Sequence, residues 1–476
     1  MTKKFYITTT LPYVNASPHI GFAMEIIQSD VIARHKHQQG FEVFFNMGSD
    51  EHGVKILRKA QESNMEPKAY CDIYAAKFDN LKEKLNLTYN NFIRTTDDHH
   101  IKAAQEFWLR CQKNGDIYKK NYKVKYCVGC ELEKTDSELE NGKCPVHPNQ
   151  EIELIEEENY FFKYSNYKKP LLDFYEKNPD FVVPASRLNE ITEFTKKGLE
   201  DFSISRLKAK MPWGVDVPND PNHVMYVWFD ALVGYISALG WPNNDKQFNN
   251  FWPGIQVAGK DNLRQQSSMW QSMLMSAGLP NSKQIFIHGF ITVNGQKMSK
   301  SLGNVIDPFE LVEKYGVDVI RYYLLREITP TEDGDFTIEK LEQRYNSDLA
   351  SGIGNLLART ITLAVKPNFE EKKPSAKIKK EATKTKKICE QYLENFKFND
   401  SLKSIWELIT FCDKYINQEK PWIASKKSSQ VISDILFALE EISYLLKPFL
   451  PETSEKIKNM LKSKTSEILF PRLLKS

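Results

Sequence analysis

β-branched and aromatic residues run together at Phe5-Tyr-Ile-Thr-Thr-Thr10, the pattern of a buried strand. A turn holding Pro12 and Pro18 follows. From His19 the period changes. Ile20, Met24, Ile27 and Val31 recur at helical spacing, and Gly40 ends the element. Val43-Phe-Phe-Asn-Met47 reads as a second strand. Strand, turn, helix and strand make a βαβ unit, which implies a parallel sheet. Further strands are expected at Val224-Met-Tyr-Val-Trp-Phe229, Ile255-Gln-Val-Ala258 and Gln284-Ile-Phe-Ile-His288, with a helix over 263–277. The predicted fold class is α/β, a Rossmann-like doubly wound parallel sheet. An aromatic, turn-rich insertion over about 119–222 splits it.

After about residue 329 strand signals vanish. Helical spacing takes over at 338–362, 382–396, 400–417, 430–446 and 452–461, which predicts an all-α helical bundle. Residues 367–387 carry eight lysines against three glutamates and read as a mobile connection or a basic face. The expected domains are 1–118 and 223–290 for the two halves of the sheet, 119–222 for the insertion, 291–335 for a linking region and 336–476 for the bundle. No internal repeat of 20–50 residues is present.

Composition narrows the function classes. A chain of 476 residues exceeds one ordinary core, so two to four domains are expected. Hydrophobic residues make up 41 % and charged residues 27 %, the balance of a soluble globular protein. No apolar run is long enough to span a bilayer, and residues 1–20 lack a signal-peptide pattern, so a cytoplasmic protein without membrane contact is expected. Lys+Arg 65 against Asp+Glu 62 gives +3, too small to mark a nucleic-acid binder by bulk charge. The seven cysteines are odd in number and scattered, which argues against a disulfide framework.

Two segments carry candidate chemistry for phosphate. Asn294-Gly-Gln-Lys297-Met298-Ser299-Lys300-Ser301-Leu302-Gly303-Asn304 places two lysines three residues apart on a Gly- and Ser-rich loop. Such a loop can fold over a polyphosphate, although a short Lys/Ser run taken alone is more often a solvated loop. The other is Pro18-His19-Ile20-Gly21-Phe22, where a helix should begin. A helix N-terminus offers unpaired N–H groups, His19 can donate to a phosphate oxygen, and Gly21 permits close approach. In an open parallel sheet both loops converge at the carboxyl ends of the strands. That convergence suits a nucleoside triphosphate attacked at its α-phosphorus.

A metal constellation stands apart. Cys127 and Cys130, then Cys144 and His147, form C-x2-C, a thirteen-residue spacer and C-x2-H. Cys3His suits one tetrahedral, structural zinc ion, because four filled positions leave none for water. In the helical part, Asn355 and Arg359 share one helix face, and Trp422 follows Pro421.

The pair of phosphate-directed motifs resembles the HIGH and KMSKS signatures of class I aminoacyl-tRNA synthetases. The wider context is similar to the methionyl-tRNA synthetases, through Thr10-Leu-Pro-Tyr-Val-Asn15, Gly48-Ser-Asp-Glu-His52-Gly, Tyr226-Val-Trp-Phe-Asp-Ala231, Gly259-Lys-Asp261 and His288 to Ser301. The resemblance covers residue 5 to the end. It implies ATP, with accompanying Mg2+, on His19, Gly21, Gly259, Asp261, Lys297, Ser299 and Lys300, with His19, Lys297 and Lys300 catalytic. It implies methionine on Asp50, the backbone near Leu11, and a wall of Tyr13, Trp228, Ala231 and Tyr235. It also implies that Asn355, Arg359 and Trp422 read the anticodon of tRNA(Met). The expected product is methionyl-tRNA, by way of methionyl-adenylate. A single knuckle is a feature of one subtype of the family. No appended tRNA-binding domain is seen, which favours a monomer.

Three positions depart from the family pattern. Phe22 stands where the first signature has a second histidine, and Asn262 and Gln266 stand where many relatives have isoleucine and histidine. Those two relatives' residues often line the methionine pocket, so its far wall is left open. Rival readings are another class I synthetase, a cofactor-forming nucleotidyltransferase, and a non-catalytic zinc-containing RNA-binding protein.

Overall fold

A computed structural model gives the fold and describes residues 2–130, 132–298, 303–423 and 427–473. The chain forms two compact units. One comprises the segment ending at Pro18 with Gly40–Lys82 and Tyr89–Ile287; the other comprises His19–Gln39, Glu83–Thr88 and the chain from His288 onward.

The first unit is built on a six-stranded parallel sheet. Strand β1 (Lys4–Thr8) pairs on one side with β2 (Glu42–Ser49), which pairs with β3 (Asn91–Arg94). On its other side β1 pairs with Ile255–Gly259, in the register Ile7 with Ile255. Gln284–His288 and then Val182–Val183 complete the sheet. Four of the five β1 residues are buried, as an inner strand covered on both faces requires, and this is why its sequence is an apolar run without alternation. The strand order turns back at β1, so the carboxyl ends of β1 and Ile255–Gly259 flank a switch point, where open α/β sheets bind ligands.

The edge strand Val182–Val183 comes from the stretch expected as an insertion. Other strands in or bordering that stretch make a separate antiparallel sheet, with Leu132–Lys134, Ile117–Cys127, Glu153–Phe162 and Phe202–Ser203 as neighbours in that order. Of the strand expected at 224–229, only Val224 and Met225 lie in a strand. Asp220–Met225 pairs antiparallel with Ser205–Leu207, outside the main sheet, and Val227–Ala231 is a helical turn. Apolar, β-branched composition fixed burial there but could not distinguish a strand end from a buried turn. The core beneath the site is aromatic: Phe107 stacks on Trp270 at 5.5 Å, and Trp270 meets Tyr235 edge-on at 6.1 Å.

In the second unit, helix α1 (Ile20–Gln38) is buried almost all round. Arg321, fully buried, binds it to the bundle. Its guanidinium donates to Asp30 of α1 at 2.7 Å, to the carbonyls of Pro448 and Phe449 at 3.0 and 2.7 Å, and to Leu85 O at 3.2 Å. Five donors in a rigid fork suit this many-sided acceptor set. The bundle helices include Asn355–Ala364, Ala376–Glu394, Phe398–Glu419, Ser428–Leu446 and Pro451–Ser463. Ala376–Glu394 buries Ile378, Ala382, Thr385, Cys389 and Leu393 on one face, so the lysines within it form the solvated face of a helix. Among the described residues, no helix is long and apolar enough to cross a membrane.

Candidate active site and metal centre

In the second unit, His19 is the N-cap of α1. Its backbone is extended, and its Nδ1 accepts the Gly21 N–H at 3.1 Å. The ring therefore lies over Gly21: a Cβ built there would stand 3.0 Å from the imidazole and 3.4 Å from Met298 Cε. That close approach explains the glycine and sets the residue before Ser299 beside the helix start. The next N–H of the helix, from Ile20, donates to Ile306 O at 3.1 Å, just beyond the same loop. Protein around the His19 ring withholds enough water to lower its pKa, although part of the residue is exposed, so the imidazole is neutral at pH 7.

The lysine loop is held at its root. Ile291–Val293 pairs antiparallel with Gln296–Lys297 and parallel with Gly334–Phe336. Asn294 and Gly295 make the tight turn with positive φ, 51° and 73°. Asp335 accepts from Gly295 N at 2.7 Å and Thr292 Oγ1 at 2.8 Å. His288 Nε2 lies 2.9 Å from Glu25 Oε2 on α1, which joins the root of the loop to the same helix. The backbone of Lys297 lies in this ladder; Ser299 and Lys300 fall outside the described residues.

In the first unit, the expected pocket residues come together after β1. Tyr13 bridges Asp50 in parallel fashion, with Val14 N donating to Asp50 O at 3.3 Å and Asp50 N to Pro12 O at 3.0 Å. The Tyr13 ring meets Trp228 edge-on at 6.3 Å. Leu11 leaves no room beside Gly234, where a Cβ would lie 2.5 Å from Leu11 Cδ1, and Tyr235 is the next residue. The indole N–H of Trp228 is buried and has no acceptor among the described residues. Asp50 is 2 % exposed, and Ala231 is buried close by in sequence to Trp228. Gly259 ends its strand at the switch point and Asp261 follows in a short exposed turn, with Asn262 Nδ2 donating to Asp261 Oδ1 at 3.1 Å.

Gln266, the departure from the family pattern, is buried and engaged at both ends. Its Nε2 donates to Tyr235 Oη at 2.6 Å, and its Oε1 accepts from Gln256 Nε2 at 3.0 Å. Phe22 is buried on α1.

Sequence reasoning missed a buried polar group that joins two of these motifs. Asp230 accepts from His52 Nδ1 at 2.6 Å and lies 2.8 Å from His100 Nε2, whose Nδ1 lies 2.8 Å from Ser237 Oγ. Burial alone would raise the Asp230 pKa, but His52 and His100 beside it bring it down to about 2. His52 and Asp230 stand inside the motifs quoted above, where their burial could have drawn notice. Nothing in the sequence singles out His100.

Cys127, Cys130, Cys144 and His147 present four ligand atoms within 4.8 Å of one another. Cys130 Sγ lies 3.5 Å from Cys144 Sγ and 3.2 Å from His147 Nδ1, and Cys127 Sγ lies 3.8 Å from the same nitrogen. Tetrahedral zinc with bonds of about 2.0–2.3 Å sets such ligand atoms roughly 3.5–3.8 Å apart, so the donor set fits the ion. No cysteine is in a disulfide.

In the second unit, Arg359 Nη2 donates to Asn417 Oδ1 at 2.8 Å, and its guanidinium lies 5.7 Å from the Trp422 ring centroid. Trp422 is 44 % exposed, and Asn355 is exposed one turn before Arg359.

The comparisons agree with this geometry. Residues 5–153 and 133–361 match the family described as tRNA synthetases class I (M), and residues 376–473 match the anticodon-binding domain of tRNA ligase. A methionine–tRNA ligase of Thermotoga maritima is 44 % identical over 472 residues, covering 95 % of this chain and 74 % of the relative. One from Thermosynechococcus vestitus is 42 % identical over 97 % of this chain and 90 % of its own length. The structure of Mycobacterium tuberculosis methionyl-tRNA synthetase in complex with methionyl-adenylate superposes with a TM-score of 0.93 at 34 % identity, covering 99 % of this chain and 100 % of that one. With its signature motifs joined at the start of α1 and its fold matched from end to end, the chain belongs to the methionyl-tRNA synthetase family.

Proposed function

We propose that this protein joins methionine to tRNA(Met). Methionine's carboxylate attacks the α-phosphorus of ATP, pyrophosphate leaves, and the methionyl group passes from the adenylate to the 3′ end of the tRNA. The observation that carries this reading is the meeting of His19 and Gly21 with Met298, two segments about 280 residues apart in sequence. Both are suited to phosphate.

In this reading His19, Gly21 and the N–H groups of α1 hold the ATP phosphates, and Lys297, Ser299 and Lys300 neutralise charge on the departing pyrophosphate. Mg2+ bound with ATP would supply further neutralisation. Gly259 allows the adenosine to approach the backbone, and Asp261 meets the ribose. Buried Asp50 is the counter-charge for the ammonium of methionine, assisted by the backbone near Leu11. Tyr13, Trp228, Ala231 and Tyr235 form the wall around the thioether, a polarisable group that packs well on rings. Shape alone discriminates a methylene by only about 10- to 200-fold.

Cys127, Cys130, Cys144 and His147 would hold one structural zinc ion, which fixes the surrounding loops. Asn355, Arg359 and Trp422 would read the anticodon, the tryptophan by stacking on a base. The reading divides the chain at about residues 118, 222, 290 and 335, and places the protein in the cytoplasm as a monomer. Incubating it with ATP, labelled methionine and a tRNA(Met) transcript tests the whole. Acid-precipitable methionine is expected; its absence, with folded protein and intact transcript, overturns the reading.

A further inference from the structure

Lys55 occupies an electrostatically poor position. It is the second residue of helix α2 (Val54–Glu62), whose N-cap is Gly53 with φ 102° and whose first turn contains no acidic residue. A cation there opposes the helix dipole. Two contacts compensate. The Lys55 ammonium donates to Gly129 O at 3.2 Å and lies 5.0 Å from the centroid of the Tyr13 ring.

Both contacts lead somewhere. Gly129 lies between Cys127 and Cys130. A Cβ on it would stand 2.5 Å from the His147 ring, so the imidazole packs directly on the Gly129 backbone. Closing the four ligands on a metal therefore fixes where the Gly129 carbonyl points. Tyr13 is tied to Asp50 by backbone hydrogen bonds and meets Trp228 edge-on. Val128 of the knuckle, Tyr13 and Trp228 all pack against one small buried cluster of Tyr126, Tyr226 and Val227. The metal ligands and the expected pocket wall are thus linked by the Lys55 side chain and by a shared apolar cluster.

We propose that Lys55 is a positioning residue that couples the knuckle to the aromatic wall of the methionine pocket, so that metal and methionine strengthen each other's binding. The inference rests on the assignment of Tyr13 and Trp228 to methionine. Coupling between two ligands is reciprocal, so methionine should make the metal harder to remove.

The test is an equilibrium competition between zinc-loaded protein and a chromogenic zinc chelator, with and without saturating methionine. Methionine binding is followed separately by tryptophan fluorescence. In the wild type, methionine should raise the apparent zinc affinity about fivefold or more. In Lys55→Met, which keeps the aliphatic stem, the enhancement should fall at least threefold, and Lys55→Arg should restore part of it. Circular dichroism verifies folding; if Lys55→Met does not fold, Lys55→Gln takes its place. An equal enhancement in wild type and variant, or none in a wild type that binds methionine, overturns the coupling. A wild type that binds no methionine at all overturns the functional reading instead.

Discussion

His19 shows how one side chain can serve two ends. As N-cap it accepts the Gly21 N–H, which requires a neutral Nδ1 and leaves the rest of the ring for phosphate. Because its pKa is lowered, the imidazole stays neutral from alkaline pH down through its ordinary value near 6.5. The single-turnover rate of adenylate formation should therefore be flat from pH 8 to 6.5 and decline only below. His19→Ala should slow that step by about 10²- to 10³-fold and leave methionine affinity unchanged. Asp230 makes a different prediction. Its carboxyl falls from 3.8 to about 2 on folding, roughly 2 kcal/mol of stabilisation. A depressed carboxyl contributes fully above its unfolded pKa and loses that contribution as the pH falls through the folded one. Asp230→Asn should thus lower unfolding free energy by about 2 kcal/mol at pH 7, and the gap from wild type should narrow between pH 4 and 2 in urea titrations.

At the scale of elements, α1 is held by charge as much as by packing. Arg321 is fully buried, and burial lowers its pKa; Asp30 and four backbone carbonyl contacts compensate. Arg321→Met would leave Asp30 only Arg34 and Thr88 as partners and strand the buried carbonyls of Leu85, Pro448 and Phe449 without a donor. A loss of about 3–5 kcal/mol is expected, read as a lower denaturation midpoint. None of this was legible beforehand, since Arg321 lies in an ordinary amphipathic stretch and its partners are distant in sequence. Period and composition did locate β1, α1 and the bundle helices, because each buries a continuous face. They failed at 224–229, where apolar residues serve a strand end and then a helical turn. The Cys-x2-Cys and Cys-x2-His spacing was legible for a simpler reason: short-range chelation geometry is written directly in the spacing.

At the scale of the whole molecule, the candidate site was legible as motifs but not as a network. Gln256 and Gln266 behind Tyr235, and Lys55 beside Tyr13, are common residue types whose roles exist only once distant elements meet. The anticodon candidates and the adenylate candidates lie far apart in the chain, so their defects should separate. Trp422→Ala removes an exposed ring that packs with Arg359. Loss of one stacked base costs about 1–3 kcal/mol, so kcat/KM for tRNA charging should drop roughly 10- to 100-fold. Methionine-dependent pyrophosphate exchange, which needs no tRNA, should be unchanged. That exchange is also the most direct measurement of the central claim. Labelled pyrophosphate should enter ATP in the presence of methionine and not with the other nineteen amino acids. Exchange driven by a different amino acid, or by none, would contradict the account.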